Sequence, residues 1–355
     1  MHQLVRHIAK VDSENDYDIY VNFEDRRLLK ADLAENFRVI PLCLRPRACR
    51  LAFQQGVLPF AAMLRRTAVV HSPSFISPIA QFGQRHVLTV HDMTFFSLPD
   101  FHIPLRRSEA FKRLVLRSIR NSHAVLVPSA ATKEHIADLL PDIPKGQTHI
   151  TPYGIGPEFH VHNPDDAARH AKRLGLPPSY ILAVGTIEPR KNLSRLIDAY
   201  RKLVKEYKIE EHLVLAGRLG WDYGEILAKL EASDLAGRVH RPGFVPASEL
   251  PWYYANARVC SYPSIQEGFG FPPLEAMACG VPVISSRSSS LVENLEGAAI
   301  LVPPEDTPAL ASAIYSLISD RALHAAQRRA GLARAAQFNW SQTASQTVDV
   351  YRAVV

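Results

Sequence analysis

The 355-residue sequence has little cysteine and no long apolar segment. Its four cysteines form no C-x-x-C pair, so neither a zinc cluster nor a disulfide framework is expected. No apolar run approaches the roughly 20 residues of a membrane-spanning helix, and the opening residues MHQLVRHIAK lack the apolar core of a signal peptide. With 47% hydrophobic and 21% charged residues, the chain is predicted to fold as a cytoplasmic protein of two domains.

Basic residues are concentrated in the first half of the sequence. Residues 41–120 contain twelve Lys and Arg against three acidic residues, a local charge of +9 in a chain of net charge +6. Such an asymmetry indicates an anionic partner. Residues 105–120 have the pattern of an amphipathic basic helix that can lie on an anionic membrane; the alternative is an ordinary solvated helix face. The stretch has no recognised nucleic-acid-binding motif, so we expect no nucleic acid partner.

Short apolar runs alternate with helical patterns along nearly the whole chain. The predicted strands are 17–22, 38–44, 68–73, 86–92, 124–129, 149–154, 180–185, 212–217, 238–244, 258–264, 281–286 and 298–302. Uniformly apolar strands joined by helices are typical of parallel sheets covered on both faces. Each half is therefore predicted to be a doubly wound, Rossmann-like α/β domain, with a ligand cleft between the two.

The segment GTIEPRKN, residues 185–192, directly follows a predicted strand and opens a helix. Gly185 lets the backbone approach a ligand closely. Arg190 and Lys191 place two cations beside a helix N-terminus, which already favours anions. This arrangement suits a diphosphate; the alternative is a capped helix with exposed basic residues.

The segment EGFGFPPLEAMACG, residues 267–280, joins another predicted strand to a helix. Gly268 and Gly270 permit a tight turn, and the two prolines suit a first helical turn. Glu275 is placed in that turn, where its carboxylate can accept hydrogen bonds from two adjacent sugar hydroxyls, and Glu267 can reach a second polar group. Together these residues predict a polyol-and-phosphate site; the alternative is that Glu275 only offsets the helix dipole.

With seven residues between its two glutamates, EGFGFPPLEAMACGVPVI resembles the E-x7-E signature of the family 4 retaining glycosyltransferases. GTIEPRKNL is similar to that family's phosphate loop, and HDMTFFSLP at residues 91–99 extends the resemblance to the first half. The branch it resembles is that of the bacterial mannosyltransferases of O-antigen and exopolysaccharide assembly. The resemblance implies the GT-B fold: an acceptor-binding domain (1–160), a nucleotide-sugar-binding domain (161–339) and a helix that crosses back (340–355), with an interdomain cleft.

The resemblance also implies roles for individual residues. Glu275 would bind the donor ribose, Glu267 hydroxyls of the transferred sugar, and Arg190 with Lys191 the diphosphate. His91 would lie at the reaction centre, although a single histidine also fits a structural role, and Asp92 would orient its loop or contact the acceptor. The remaining donor-binding residues, which supply backbone groups or flank the base, would be Gly185, Phe244, Val245, Gly268, Phe269, Gly270 and Phe271.

The implied reaction moves a hexose, mannose from GDP-mannose, to a glycan or a polyprenyl-diphosphate-linked glycan. Arg190, Lys191 and helix N-termini can stabilise the charge that develops on the diphosphate. The family works without a divalent ion and the sequence has no D-x-D triplet, so we expect no metal and no other cofactor. A lipid-linked acceptor suits the basic first half. We therefore expect a cytoplasmic protein that contacts the inner face of the membrane.

The start of the sequence departs from the family pattern. It opens on a predicted helix with Leu4, Ile8 and Val11 on one face, without the opening strand and Gly-rich turn of the family. An empty central position in the first sheet would follow. The empty position predicts that the protein has low stability and that extending the chain upstream restores activity. Thr186, where many relatives have Arg, removes one phosphate-binding cation.

Two other functions fit the same scaffold. A GT-B nucleotide-sugar epimerase would share the fold, although the E-x7-E segment argues against it. A catalytically impaired sugar-nucleotide-binding protein would explain the absent strand. A nicotinamide dehydrogenase is excluded, because no G-x-G-x-x-G motif follows an early strand.

Overall fold

The computed structural model describes residues 1–28, 33–102, 108–230 and 233–355. The chain divides into two compact units. The first contains Met1–Phe96, Pro104–Gly154 and Asn339–Val355, and the second contains Ser97–Ile103 and Ile155–Phe338. The chain thus passes between the units after Gly154 and after Phe338, and it also enters the second unit briefly from Ser97. The boundaries predicted from the sequence are 160 and 339.

Two parallel sheets are formed by the described residues of the first unit. One pairs β1 (Tyr17–Asn22) with β2 (Phe37–Leu42), and the other has the strand order β3-β4-β5-β6. The strands of the second sheet are β3 (Val69–Ser72), β4 (Arg85–Thr89), β5 (Ala124–Val127) and β6 (Thr148–Ile150).

Helices cover the sheets of the first unit. They are α1 (His2–Val11), α2 (Arg47–Ala52), α3 (Leu58–Leu64), α4 (Thr94–Ser97), α5 (Glu109–Asn121) and α6 (Ala130–Leu139). Helix α5 is the basic helix of the sequence prediction, whose residues 105–107 lie outside the described residues. Its apolar side chains Val115 and Ile119 are buried in the core, whereas Arg113 and Arg117 are exposed. The apolar face of α5 is thus used for folding, and only its basic face meets solvent.

The second unit contains a six-stranded parallel sheet with the order β12-β11-β10-β7-β8-β9. Its strands are β7 (Tyr180–Val184), β8 (His212–Ala216), β9 (Val239–Gly243), β10 (Val259–Tyr262), β11 (Val283–Ser286) and β12 (Ile300–Val302). The order runs outwards from β7 in one direction and from β10 in the other. The boundary between β7 and β10 is therefore a topological switch point, beside which ligands bind in open α/β sheets.

Helices lie on both faces of this sheet. They are α7 (Pro164–Leu174), α8 (Leu193–Lys202), α9 (Gly224–Leu230), α10 (Leu250–Ala255), α11 (Phe271–Ala278), α12 (Ser289–Leu295), α13 (Thr307–Ser319) and α14 (Arg321–Ala335). Helix α7 shows why they form where they do: Asn163 caps its first turn by accepting a hydrogen bond from the Asp165 N–H, and Gly175 ends it at φ +63°. The predicted α/β class is confirmed in both units.

The chain ends in helix α15 (Trp340–Val354), which belongs to the first unit and packs against α1 and β5. Val348 is buried, and the Tyr351 hydroxyl hydrogen-bonds His71 Nδ1 at 2.6 Å. Burial lowers the pKa of His71 to about 4, so this contact is between neutral groups at neutral pH. Val355, which the sequence also suggested for docking, is exposed.

Within the ranges described above, no helix has both the length and the apolar character needed to cross a bilayer.

Candidate functional site

The two sequence motifs meet at the switch point of the second unit. GTIEPRKN follows β7, and EGFGF follows β10. Because β7 and β10 are neighbouring parallel strands, the loops that leave their carboxyl ends come together. Two hydrogen bonds to the Arg190 carbonyl join these loops, one from the Ile265 N–H at 2.9 Å and one from the Ser264 hydroxyl at 3.1 Å.

Arg190 and Lys191 form a buried ion cluster with Glu188 and Glu267 at this point. Arg190 contacts Glu267 Oε2 at 2.8 Å and Glu188 Oε1 at 2.9 Å, and the Lys191 ammonium contacts Glu267 Oε1 at 2.5 Å. None of these four side chains is more than 15% exposed. Two cations therefore balance two carboxylates, and the cluster carries no net charge when all four are ionised.

Glu267 stays ionised although it is buried. Burial alone would raise its pKa, but the charges of Lys191 and Arg190 and hydrogen bonds from Lys191 and Ser264 hold the pKa well below its ordinary value. Tyr262 also donates to Glu267 Oε1 at 2.9 Å and accepts from Lys191 at 2.6 Å. Sequence reasoning missed Glu188, Tyr262 and Ser264; the only available signal was their position at strand ends beside the motifs.

Two hydrogen bonds with serines of α12 fix the backbone of the loop between β10 and α11. The Glu267 N–H donates to Ser289 Oγ, and the Ser290 hydroxyl donates to the Glu267 carbonyl, each at 2.9 Å. Gly270 has φ +89°, and a Cβ there would lie 2.6 Å from a Leu291 methyl. Within residues 268–271, the Phe269 side chain is buried, so only its backbone remains to serve a ligand.

Glu275 is placed in the second turn of α11, one turn later than the sequence suggested, because the helix already begins at Phe271. The helix dipole acts mainly on the first turn, so offsetting it explains little of this position. The Tyr254 hydroxyl donates to Glu275 Oε2 at 2.9 Å. Burial raises the pKa of Glu275 to about 7, the Tyr254 hydrogen bond opposes this rise, and Glu158 adds to it.

Gly185 begins the phosphate-loop motif with φ +146°, which favours glycine. A second glycine, Gly217 at the end of β8, was not predicted as part of the site. A Cβ on Gly217 would lie 1.8 Å from the Gly185 carbonyl oxygen, so only glycine fits there. The signal was present in the sequence, since Gly217 ends an apolar run as Gly185 does.

We expect Gly217→Ala to displace the phosphate loop. The added methyl meets backbone rather than a flexible side chain, so the loop must move, at a cost of about 1–3 kcal/mol. Thermal unfolding should show a lower melting temperature than that of the wild type. Gly224→Ala is the matched control, because a Cβ at Gly224 has nothing within 4 Å. Equal behaviour of the two variants would contradict the prediction.

Phe244 and Val245 follow β9, which lies two strands from β7 on the outer edge of the sheet. The Phe244 ring is 72% exposed, and Val245 is half-buried. The structure therefore places an accessible ring at the carboxyl end of the sheet, but does not bring it to the ion cluster.

His91 and Asp92 lie in the first unit, after β4. His91 accepts a hydrogen bond from the Tyr153 hydroxyl at Nδ1, at 2.5 Å, and its Nε2 donates to the Pro73 carbonyl at 2.9 Å. Burial raises the pKa of Tyr153, so its hydroxyl remains a donor. Asp92 Oδ1 accepts from the N–H and the hydroxyl of Thr94 at 3.0 and 2.6 Å, which starts α4. Both residues are thus held by local contacts.

Solved structures place this fold in the GT-B class. Sucrose-phosphate synthase (tll1590) from Thermosynechococcus elongatus matches with a TM-score of 0.78 and 24% identity, over 99% of this chain and 92% of that one. Anabaena Alr3699/HepE, solved with UDP-glucose, matches with a TM-score of 0.76 and 20% identity, over 99% and 95% of the two chains. The class that these likenesses define is the GT-B fold.

Family models and relatives give the family. Residues 1–159 match the model described as Glycosyltransferase Family 4, and residues 165–334 match the one described as Glycosyl transferases group 1. O-antigen chain mannosyltransferase B of Escherichia coli is 32% identical over 285 residues, which cover 80% of this chain and 74% of the relative. The chain spans only 29% of the serotype-specific mannosyltransferase WbdA of Escherichia coli, at 28% identity over 66% of its own length. The chain belongs to glycosyltransferase family 4, and the predicted family is confirmed.

Proposed function

We propose that this glycosyltransferase is a retaining mannosyltransferase that uses GDP-mannose and a glycan or lipid-linked glycan acceptor in O-antigen or exopolysaccharide assembly. The observation that carries the proposal is the buried contact of Arg190 and Lys191 with Glu267 at the switch point, where Glu267 belongs to the loop that leads to Glu275. The names of the relatives support the sugar: O-antigen chain mannosyltransferase B, and the MMP alpha-(1->4)-mannosyltransferase of Mycolicibacterium hassiacum, which is 30% identical over 71% of this chain and 59% of its own length.

The cluster suggests how one site recognises phosphate and sugar together. In the ligand-free protein, Glu267 contacts both cations and, together with Glu188, balances their charge. A bound diphosphate supplies the negative charge that Arg190 and Lys191 need, which releases the Glu267 carboxylate to accept hydrogen bonds from sugar hydroxyls. A nucleoside diphosphate without sugar would leave Glu267 buried with fewer partners, which costs free energy. GDP-mannose should therefore bind more tightly than GDP.

The two cations also prepare the site for the leaving group. When the bond to the anomeric carbon breaks, negative charge grows on the diphosphate beside Arg190 and Lys191. Fixed charges in a partly buried site stabilise this charge without reorganising. In this proposal Glu275 holds the ribose, so that the reacting bond keeps its position relative to the cations.

We expect transfer to continue without a divalent ion. Arg190 and Lys191 supply the two positive charges that a metal would otherwise provide. GDP release from GDP-mannose in the presence of a lipid-linked acceptor should proceed at a similar rate with EDTA and with Mg²⁺. Loss of activity in EDTA that Mg²⁺ restores would show that the cations alone do not suffice.

His91 is proposed to exchange its Nε2 hydrogen bond to the Pro73 carbonyl for one to the donor sugar at the reaction centre, while Tyr153 holds Nδ1. His91→Ala should reduce turnover by about 10²-fold, the scale for losing one donor to a developing charge, while GDP-mannose still shifts the melting temperature. Tyr153→Phe should reduce turnover less, because the His91 ring loses the Nδ1 partner that orients it. Unchanged turnover in His91→Ala would assign His91 a structural role.

A thermal-shift screen of GDP-, UDP- and ADP-sugars tests the donor. GDP-mannose should raise the melting temperature more than the other sugar nucleotides do. Analysis of the product with the lipid-linked acceptor should then show an α-linked mannose. A shift with none of the nucleotides would contradict the whole proposal, and a changed sugar in reactions that contain donor alone would indicate an epimerase.

A further inference from the structure

The first unit exposes apolar side chains on the outer face of one helical stretch. Helix α2, a π-helical segment (Phe53–Val57) and α3 follow one another without a break. Val57, Phe60, Met63 and Leu64 are 55%, 52%, 40% and 80% exposed, and we call these four side chains the apolar strip. Their spacing of three, four and seven residues places them on one side of a helix.

The opposite side of α3 is the one that packs on the protein, through Pro59 and Ala62. A surface helix normally turns charged residues to solvent, so this outer face is reversed. Phe82, itself 41% exposed, extends the strip, because its ring lies 4.7 Å from that of Phe60. Contiguous apolar surface of this kind marks an interaction site in a soluble protein.

The charge around the apolar strip is of one sign. The sequence from residue 36 to residue 91 contains no Asp or Glu but seven arginines. Exposed Arg50 precedes the strip, and exposed Arg66 follows it. Arg50 and Arg66 therefore lie at opposite ends of the strip along the sequence, and the α-helix 58–64 between them is about 10 Å long. Arg65 contributes less, because it is paired with Asp18 at 2.6 Å.

We propose that the apolar strip docks on an anionic bilayer surface, with Phe60 and Leu64 entering the headgroup boundary and Arg50 and Arg66 reaching lipid phosphates. Large apolar side chains flanked by arginines on one helical face are typical of interfacial helices. A second copy of the chain fits less well, because a two-fold interface through the strip would bring like charges together. Docking would bring the site to a lipid-linked acceptor, and in this respect alone the proposal rests on the proposed function.

The test is co-sedimentation of the full chain with vesicles of phosphatidylcholine alone, or of phosphatidylcholine mixed with phosphatidylglycerol. The wild type should sediment with the mixed vesicles, and raised salt should weaken the binding. Phe60→Glu combined with Leu64→Glu should reduce binding about tenfold or more. The matched control is Val161→Glu with Val355→Glu, which changes two exposed apolar residues outside the strip and adds the same charge. This control should bind nearly as the wild type does.

Three outcomes would overturn the proposal: no wild-type binding to the mixed vesicles, equal binding to neutral vesicles, or equal binding by the strip variant. A concentration-dependent dimer that the strip variant abolishes, without vesicle binding, would assign the strip to a second copy. The thermal shift with GDP-mannose is measured in every variant. A strip variant that keeps this shift but loses vesicle binding separates a failure of docking from a failure of the donor site.

Discussion

Replacing Glu275 with Gln is expected to weaken donor binding and to stabilise the ligand-free protein above neutral pH. Burial raises the pKa of Glu275 from about 4.5 to about 7. A carboxyl group with a raised pKa binds its proton more tightly in the folded state, so stability falls as pH rises from 4.5 to 7 and then stays level. The difference corresponds to about 3 kcal/mol, which Gln, having no charge, would recover at pH 8.

The same substitution removes the carboxylate that is proposed to accept hydrogen bonds from the donor ribose. Hydrogen bonds to a charged group contribute about 1.5–3 kcal/mol, so nucleotide affinity should fall by about 10- to 100-fold. Wild-type affinity should also decrease as pH falls below about 7, where Glu275 becomes protonated. The protein therefore keeps a destabilising carboxylate where a neutral amide would fold better, which is typical of a binding site.

Calorimetry with GDP-mannose and thermal unfolding between pH 5 and pH 8 test both effects. Glu296→Gln is the control, because it removes an exposed carboxylate of the same unit. If Glu275→Gln binds GDP-mannose as the wild type does, Glu275 does not hold the ribose. If the free energy of unfolding of Glu275→Gln varies with pH as that of the wild type does, burial does not raise the pKa of Glu275.

Replacing Glu267 with Gln is expected to destabilise the ligand-free protein by about 3 kcal/mol or more. The change leaves Arg190 and Lys191 with one buried carboxylate between them, and removing one partner of a buried ion pair is costly. Since the pKa of Glu267 is held below its ordinary value, its stabilising effect is present above about pH 4.5 and is lost only in stronger acid.

Inorganic pyrophosphate should distinguish this electrostatic effect from a packing defect. The anion can replace the missing charge, so it should raise the melting temperature of Glu267→Gln more than that of the wild type. Turnover should still be lost, because Gln cannot accept sugar hydroxyls as a carboxylate does. Glu305→Gln, at an exposed position, should resemble the wild type. An equal pyrophosphate shift in all three proteins would contradict the proposed exchange of Glu267 for a diphosphate.

The twelve predicted strands are all present, and their ends differ by at most a few residues. They could be predicted because each is a short apolar run bounded by glycine, proline or polar residues, as at residues 180–185. The turn of a helix in which a residue lies follows less directly from the sequence. The two prolines do lie in the first turn of α11, as predicted, but the helix already begins at Phe271, so Glu275 falls in its second turn.

Part of the site could also be predicted. Glycines, cations and acids at strand ends indicated a phosphate and sugar site, and both motifs do lie at the switch point. The pairing of Glu267 with both cations could not be predicted, because it depends on the neighbouring positions of β7 and β10. The same is true of Tyr254 beside Glu275 and of Tyr153 beside His91, which are 21 and 62 residues away in the sequence.

By itself, the sequence determined the α/β class, the two halves and the chemical character of the loops, because periodicity and local residue types act over short distances. The tertiary structure decided which charges meet, which carboxylate is raised in pKa and which apolar face remains exposed. Those properties depend on burial and on strand order, which bring together residues that are far apart in the chain. The outer face of α3 is an example: its residues look like core in the sequence, and only packing shows that solvent covers them.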